Sequence, residues 1–230
     1  LRGVFGARPV WVAASTHPGE EAAVLQAHRR LAAAHPGLLT VIVPRHPERG
    51  PEVAALAEGL VEARRAAGEV PGARTAVLVA DTLGELGLFY RLAACTFVGG
   101  SLVEHGGQNP LEPARLGCPV LLGPHVWNFA EIVDRLAAAG GLTRIEPGTE
   151  PAAALAEGVS AMLSNPDRGR AQAEAAFGVA AEEAGLPERI AAALLPLVPL
   201  RDATAQPEGR NLAGAAPAGP PATKIVDEGN

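Results

Sequence analysis

The sequence predicts an α/β fold, a doubly wound parallel sheet with helices on both faces. Three observations carry that expectation. Short apolar runs recur along the chain: VWVAA at 10–14, LLTVIV at 38–43, TAVLVAD at 75–81 and PVLLG at 119–123. These runs are continuous rather than alternating, the pattern of strands buried on both faces. Segments with helical spacing of apolar residues lie between them, and right-handed crossovers then wind the sheet outward in both directions. At 48% hydrophobic, the 230 residues can bury a sizeable core, and with aromatics at only 3% that core is built of Ala, Leu and Val.

The remaining elements follow in order. Val24, Leu25, His28 and Leu31 give residues 19–34 one apolar helical face. The second strand ends at Pro44. PEVAALAEGLVEARRA, 51–66, reads as a helix. The third strand, 75–81, leads to a helix from Glu85 to Ala94, and Thr96–Val98 is a very short strand. Residues 109–116 read as a helix, with Asn109 as N-cap, Pro110 at the first helical position and Gly117 just past the end. A strand at 119–123 precedes a helix near Asn128–Ala139, and LTRI, 142–145, is the last strand. Helices near 151–163, 167–184 and 187–195 complete the domain, taken as 1–200. Residues 201–230 are rich in Pro, Gly and Ala without a periodic apolar face, and are expected to form a disordered tail.

Several function classes are excluded. A net charge of −6 without a basic stripe argues against nucleic acid as a partner. Cys95 and Cys118 sit in apolar contexts and read as buried thiols in a reducing compartment. No CxxC or Cys/His zinc spacing occurs, and no Asp-x-Asp pair to hold a divalent metal, so no metal site is expected. No apolar run approaches the ~18 residues of a membrane span, and no signal peptide is present. No GxGxxG follows the first strand, and neither GxxxxGK[ST] nor GxSxG occurs, which disfavours dinucleotide dehydrogenases, P-loop NTPases and α/β hydrolases. The first residue is Leu rather than Met, as expected of a piece of a longer protein.

Doubly wound sheets bind ligands at the C-terminal ends of their strands. The candidate loops are therefore 15–19, 44–49, 81–85, 99–109 and 123–128. In the first, Ser15 and Thr16 can cap the next helix, with Glu20 and Glu21 in its first turn. His17 is either a ligand contact or an ordinary loop residue. In the second, Arg45 and His46 leave a buried strand at the ligand edge. A guanidinium there suits a phosphate, a carboxylate or a stacked base, unless PRHPER is only a solvated charge run. In DTLGEL, Thr82 and Glu85 fit a capping box, or Gly84 admits a ligand to the backbone. In GGSLVEHGGQNPLEP, 99–113, two glycine pairs flank a polar loop that runs into a helix start. Its free N–H groups and partial positive charge read as a phosphate site. Glu112, three residues after the Asn109 cap, either steadies that helix or holds a ribose diol.

Five strings carry a family resemblance: AASTHPGEE (13–21), VPRHPER (43–49), DTLGELGLFY (81–90), FVGGSLVEHGGQNPLEPA (97–114) and LLGPHVWNF (121–129). In this order they resemble the C-terminal half of the 3-deoxy-D-manno-octulosonic acid (Kdo) transferases of lipopolysaccharide synthesis, over most of residues 9–140. The resemblance implies a Rossmann-like domain that is one half of a GT-B glycosyltransferase and binds the donor CMP-Kdo. It implies that Pro44, Arg45, Leu83, Gly84, Glu85, Asn109, Pro110, Leu111 and Glu112 line the CMP site. Ser15, Thr16, His17, His46, Gly100, Ser101, Gly107, Gln108 and His125 are further candidate donor contacts. Leu83 stands where relatives often carry Met, and Gln108 where many carry His. The family's general base is a glutamate of the N-terminal, acceptor-binding domain, so no catalytic residue is assigned within this stretch. Glu20, Glu21, Glu85, Glu104 and Glu112 are not taken as the base. In the implied reaction, a hydroxyl of a lipid A precursor attacks the anomeric carbon of Kdo and CMP leaves. Helix N-termini and Arg45, His17, His46 or His125 would meet the leaving phosphate. No cofactor is implied, and the acceptor is reached through the N-terminal domain. The full-length protein is expected at the cytoplasmic face of the bacterial inner membrane, with this stretch itself soluble. Two alternatives stand beside this: a GT-B domain for another nucleotide-sugar such as a UDP-sugar, and a non-catalytic nucleotide-binding module.

Overall fold

The computed structural model describes residues 2–197, so the tail expected at 201–230 lies outside the described residues. The chain divides into two compact units, one running to Glu188 and the other from Arg189. The first opens with α1 (Arg2–Phe5), β1 (Val10–Thr16), α2 (Glu20–Leu31) and β2 (Leu39–Pro44). A 3-10 turn (Pro47–Arg49) then enters α3 (Gly50–Leu56). Next come β3 (Glu62–Arg64), β4 (Val77–Val79), α4 (Leu86–Leu92), β5 (Thr96–Val98), α5 (Leu111–Arg115) and β6 (Val120–Leu122). A second 3-10 turn (Trp127–Phe129) precedes α6 (Ala130–Ala138), β7 (Leu142–Arg144), α7 (Pro151–Ser164) and α8 (Pro166–Ala184). The helix α9 (Leu186–Leu194) and a final 3-10 turn (Leu195–Leu197) follow.

The seven strands form one sheet in the order β3-β4-β2-β1-β5-β6-β7, and every neighbouring pair is parallel. The chain starts at the centre with β1, passes through β2 to the edge strand β3, steps back to β4 between them, and then crosses to build β5, β6 and β7 on the other side. The crevice where the winding reverses therefore lies beyond the C-terminal end of β1, between the loops after β2 and β5.

Strand β1 shows why the apolar runs are continuous. Trp11 and Ala13 face one side, packing with Val24, Leu25, Ile42, Leu121, Leu155 and Val159. Val10, Val12 and Ala14 face the other, with Leu39, Val41, Leu78, Phe89 and Tyr90. With period-2 alternation and both faces buried, successive positions are apolar except where a hydroxyl finds a partner inside. One polar knot interrupts the first layer: Trp11 Nε1 donates to Thr40 Oγ1 at 2.6 Å, and His28 Nδ1 lies 2.8 Å from the same oxygen. Cys95 and Cys118 are buried in the two core layers, and burial pushes the Cys118 thiol up to about 12.

The expected helix 51–66 is corrected in its second half. Helix α3 ends at Leu56, Gly59 adopts φ 80°, and residues 62–64 form β3, which pairs in parallel with β4. Val53, Ala57 and Ala63 are all buried, so the apolar spacing ran on through the break. Long-range polar contacts fix the strand: Arg64 Nε and Nη2 donate to Asp81 Oδ2 at 3.0 and 2.8 Å, and Ala66 N to Asp81 Oδ1 at 2.8 Å. The strand expected at 75–81 is shorter, Val77–Val79, and α1 had no sequence signal.

Candidate functional site

At the end of β1, the register with β2 shifts between Ala14 and Thr16, and Ser15 takes φ 54°. A left-handed conformation at a non-glycine residue is strained, and such strain gathers at functional sites. Ser15 lines a cleft of about 320 Å³ at the C-terminal edge of the sheet, within the size range of ligand sites. Pro44, Arg45 and Pro47 enter it from the β2 loop, and Thr82, Leu83 and Gly84 from the β4 loop. Gln108, Asn109 and Glu112 come from the glycine loop and α5, while Val43, Leu86, Tyr90 and Val98 supply the floor.

Local backbone geometry sets these positions. Arg45 N donates to Thr16 O at 3.0 Å, which ties the β2 exit to β1. Gly84 takes φ 82°, a turn only glycine makes readily, and it presents Leu83 at 82% exposure on the cleft edge. Gly107 N and Gln108 N donate back to Gly100 O and Gly99 O at 2.7 and 3.0 Å, so the glycine loop closes on its own stem. Asn109 Oδ1 accepts from Leu111 N at 3.0 Å, the expected capping contact, although the helix itself begins at Leu111. Glu112 is exposed in its first turn and meets no hydrogen-bond donor among the described residues.

The electrostatics differ from the sequence reading. Three amides at the start of the glycine loop, those of residues 100–102, are already occupied. His17 N and Gly100 N donate to Glu20 Oε2 at 2.9 and 2.8 Å, and Ser101 N and Leu102 N to Glu20 Oε1 at 3.0 and 2.9 Å. Glu20 is 1% exposed, so the cradle is filled by the protein's own carboxyl group, whose pKa burial raises while the four amides pull it back toward the charged form. The backbone N–H groups of Gly100 and Ser101 point to Glu20, and neither residue is among those lining the cleft. The Ser101 hydroxyl also donates to Val98 O at 2.6 Å and accepts from Gly123 N at 2.8 Å. Thr16 turns inward too, its hydroxyl donating to Glu21 Oε1 at 3.0 Å. Gly107 is buried, with its N–H already bonded, and lies behind the cleft wall.

Glu85 is also engaged within the protein. Its carboxylate turns away to Arg65, accepting from Nε and Nη2 at 2.9 and 2.7 Å, and also from the Thr82 hydroxyl. The Arg65 guanidinium first, then Thr82, lowers its pKa to about 2. It holds the β4 loop in place instead of facing the cleft. The Thr82–Glu85 contact joins the two side chains, and Glu85 itself stands at the N-cap of α4 with no side-chain cap bond. Pro110 is buried, and Leu111 packs toward α8 with Ala114 and Ala176, so neither side chain lines the cleft.

Around the mouth stands a cluster of rings. His17 is 7% exposed, its ring 3.9 Å from that of His105 and edge-on to His46 at 6.4 Å. Gln108 Nε2 lies 3.0 Å from His17 Nε2 and donates to it. Burial first, then His105, His46, Arg45 and Arg49, lower the His17 pKa to about 4. This imidazole is neutral near pH 7 with Nε2 occupied, so it positions Gln108 rather than offering a positive charge. His46 lies 3.7 Å from Glu48. Arg49 is taken by Glu21 at 2.6 Å and Glu52 at 2.8 Å. Arg45 is exposed, lines the cleft and meets no acidic partner among the described residues. His125 sits beyond the glycine loop, edge-on to Trp127 at 5.8 Å and outside the cleft lining.

Arg65, His105 and the floor residues Tyr90 and Val98 were missed in the sequence. Arg65 lay inside the apparent helix, and the others carried no local signal. Among the described residues, no group of three His, Cys, Asp or Glu could hold a metal ion, and no helix is long and apolar enough to cross a membrane. A larger cleft of about 710 Å³ lies at the opposite edge of the sheet, among Pro9, Ala93, Pro119, Met162 and Phe177. It sits at the N-terminal strand ends and brings few polar groups together, so the smaller cleft is the better ligand site.

No family model matches the chain. It is 41% identical over 191 residues to the 3-deoxy-D-manno-octulosonic acid transferase of Haemophilus influenzae, covering 82% of this chain and 44% of that protein. It is 41% identical over 196 residues to that of Bordetella pertussis, covering 81% and 44%. The chain thus spans less than half the length of these curated relatives. Among solved structures, it matches the C-terminal CMP-Kdo binding domain of WaaA from Acinetobacter baumannii at 35% identity and TM-score 0.71, covering 76% of this chain and 90% of that domain. A C-terminal glycosyl transferase domain (LpcC) from Francisella tularensis, at 14% identity and TM-score 0.55, shares the fold.

Proposed function

The chain belongs to the 3-deoxy-D-manno-octulosonic acid transferase family and has a GT-B donor-type fold, and from that premise we propose that its cleft binds CMP-Kdo. The observation that carries this reading is that one cleft is lined by both Arg45, which meets no acidic partner among the described residues, and Glu112, which meets no donor among them. The Acinetobacter domain, alike in fold and 35% identical, is a CMP-Kdo binding domain.

The residues divide the donor between them. Glu112 accepts hydrogen bonds from the ribose diol, one hydroxyl to each oxygen. Asn109 and Pro44 flank the nucleoside, and Leu83 covers it from the opposite edge. Arg45 receives the phosphate. When an acceptor hydroxyl forms its bond to the anomeric carbon of Kdo, the bond from that carbon to the phosphate oxygen breaks. The electron pair leaves with CMP, and the gain in phosphate charge is met by the Arg45 guanidinium. The acceptor proton goes to a base outside this chain, in the half of the protein that the curated relatives have and this stretch does not span. That half also binds the acceptor, a lipid A precursor at the cytoplasmic face of the inner membrane. Residues 1–200 form the donor domain in this reading.

The test is calorimetric titration of the chain with CMP, then of the Arg45→Ala variant. Arg45→Ala is expected to weaken CMP binding by about 1.5–3 kcal/mol, the range for a hydrogen bond to a charged group. It should leave the melting temperature close to wild type. Unchanged affinity removes Arg45 from the phosphate site.

A further inference from the structure

Glu20 is a buried carboxyl group outside the cleft lining. A buried carboxylate is costly unless its lone pairs are satisfied. Glu20, at the start of α2, meets that cost with four backbone N–H donors and no cation among the described residues. Three donors lie 80 to 82 residues further along the chain, on the loop after β5. The fourth, His17 N, belongs to the loop after β1. One carboxylate therefore joins the two loops that flank the end of the central strand.

The packing leaves no slack there. A Cβ on Gly99 would lie 2.5 Å from Ser15 O and 2.8 Å from Glu20 Oε2. Gly99 O and Gly100 O then accept from Gln108 N and Gly107 N. A short chain of bonds thus runs from Glu20 to the point where Gln108, Asn109 and Glu112 enter the cleft. On the other lip, the backbone bond at His17 sets the imidazole against Gln108.

We propose that Glu20 is a positioning residue: its carboxylate fills the glycine-loop cradle as an internal anion and fixes both lips of the donor cleft. The inference rests on the donor-binding reading above. It implies that the donor's negative charge is met by side chains, Arg45 foremost, and not by the amides of residues 100–102.

The test uses the 230-residue chain and CMP as the probe, with wild type, Glu20→Gln, Glu20→Asp and the control Leu155→Ala. Leu155 is fully buried against the sheet, away from the cleft. Glutamine keeps the shape but replaces one acceptor oxygen with an amide that faces N–H donors. Glu20→Gln is expected to fold by circular dichroism and to lose about tenfold or more in CMP affinity. Glu20→Asp, which keeps the charge, should recover part of that loss. Leu155→Ala should bind as wild type despite a lower melting temperature. A folded Glu20→Gln with wild-type affinity overturns the proposal. Hydrogen exchange on the wild type keeps the question decidable if Glu20→Gln does not fold. The amides of Gly100, Ser101 and Leu102 should already be protected without CMP. Protection that arises only on adding CMP would overturn the internal-anion role. Failure of wild type to bind CMP counts against the donor reading instead, and the exchange measurement still judges the cradle.

Discussion

Four carboxylates surround the cleft, and their partners separate their roles. Glu20 holds four amides, Glu21 holds Thr16 and Arg49, and Glu85 holds Arg65 and Thr82. Glu112 alone reaches the cleft without a partner among the described residues. Glu112→Ala is therefore expected to weaken CMP binding by about 1.5–3 kcal/mol with little loss of stability. A capping role would do the opposite: about 0.5–2 kcal/mol less stability at unchanged affinity. Thermal melts and CMP titrations of one variant tell the two apart. Arg45 and Glu112 were legible in the sequence because each sits at a strand end or helix start, where local rules apply. Glu20 was read only as a first-turn acid. Three of its donors come from another loop, and no local pattern encodes that meeting. For the same reason the amides of residues 100–102, which the glycine pattern leaves free, are filled from α2.

At the scale of elements, the β4 loop shows how a sheet edge supports the cleft. Strand β3 places Arg64 on Asp81 and Arg65 on Glu85, at either end of DTLGE. The sequence pattern gave a helix through Ala66 because the apolar spacing continued across the break at Gly59. The arginine contacts that select a strand are long-range and invisible to periodicity. Arg65→Ala should free Glu85 and loosen Leu83 and Gly84, lowering CMP affinity without Arg65 touching the ligand. It should also alter acid stability. The Glu85 pKa is depressed to about 2, so its contribution is present above the ordinary carboxylate pKa of 4.5 and is lost as pH falls toward 2. Denaturant unfolding between pH 5 and pH 2 should therefore fall less steeply in Arg65→Ala than in wild type. Equal slopes would detach Arg65 from Glu85.

For the whole molecule, the doubly wound sheet was legible because a fully buried strand leaves no polar face, and β1, β2, β5 and β6 all obey that rule. The edge strand β3, half exposed and rich in charge, did not announce itself. A molecule-wide consequence is its response to mild acid. Burial lowers the pKa of both His17 and His28 to about 4, from the ordinary 6.5. Between these values the unfolded chain binds more protons than the folded one, so stability should fall as pH drops from 6.5 toward 4. Melting temperatures across that range should decline, and less so in His28→Gln. Buried Glu20, whose pKa is raised, works the other way as pH falls, so the difference between wild type and His28→Gln is the readout, and identical profiles would contradict the burial of His28. This domain is proposed to carry a CMP-sugar donor cleft at the end of β1. Calorimetric titration of the chain with CMP, with UMP and AMP as controls, tests it most directly. Saturable binding that prefers CMP to both and is weakened in Glu112→Ala is the expected result. A folded chain that binds UMP as well as CMP, or binds CMP equally well without Glu112, would contradict it.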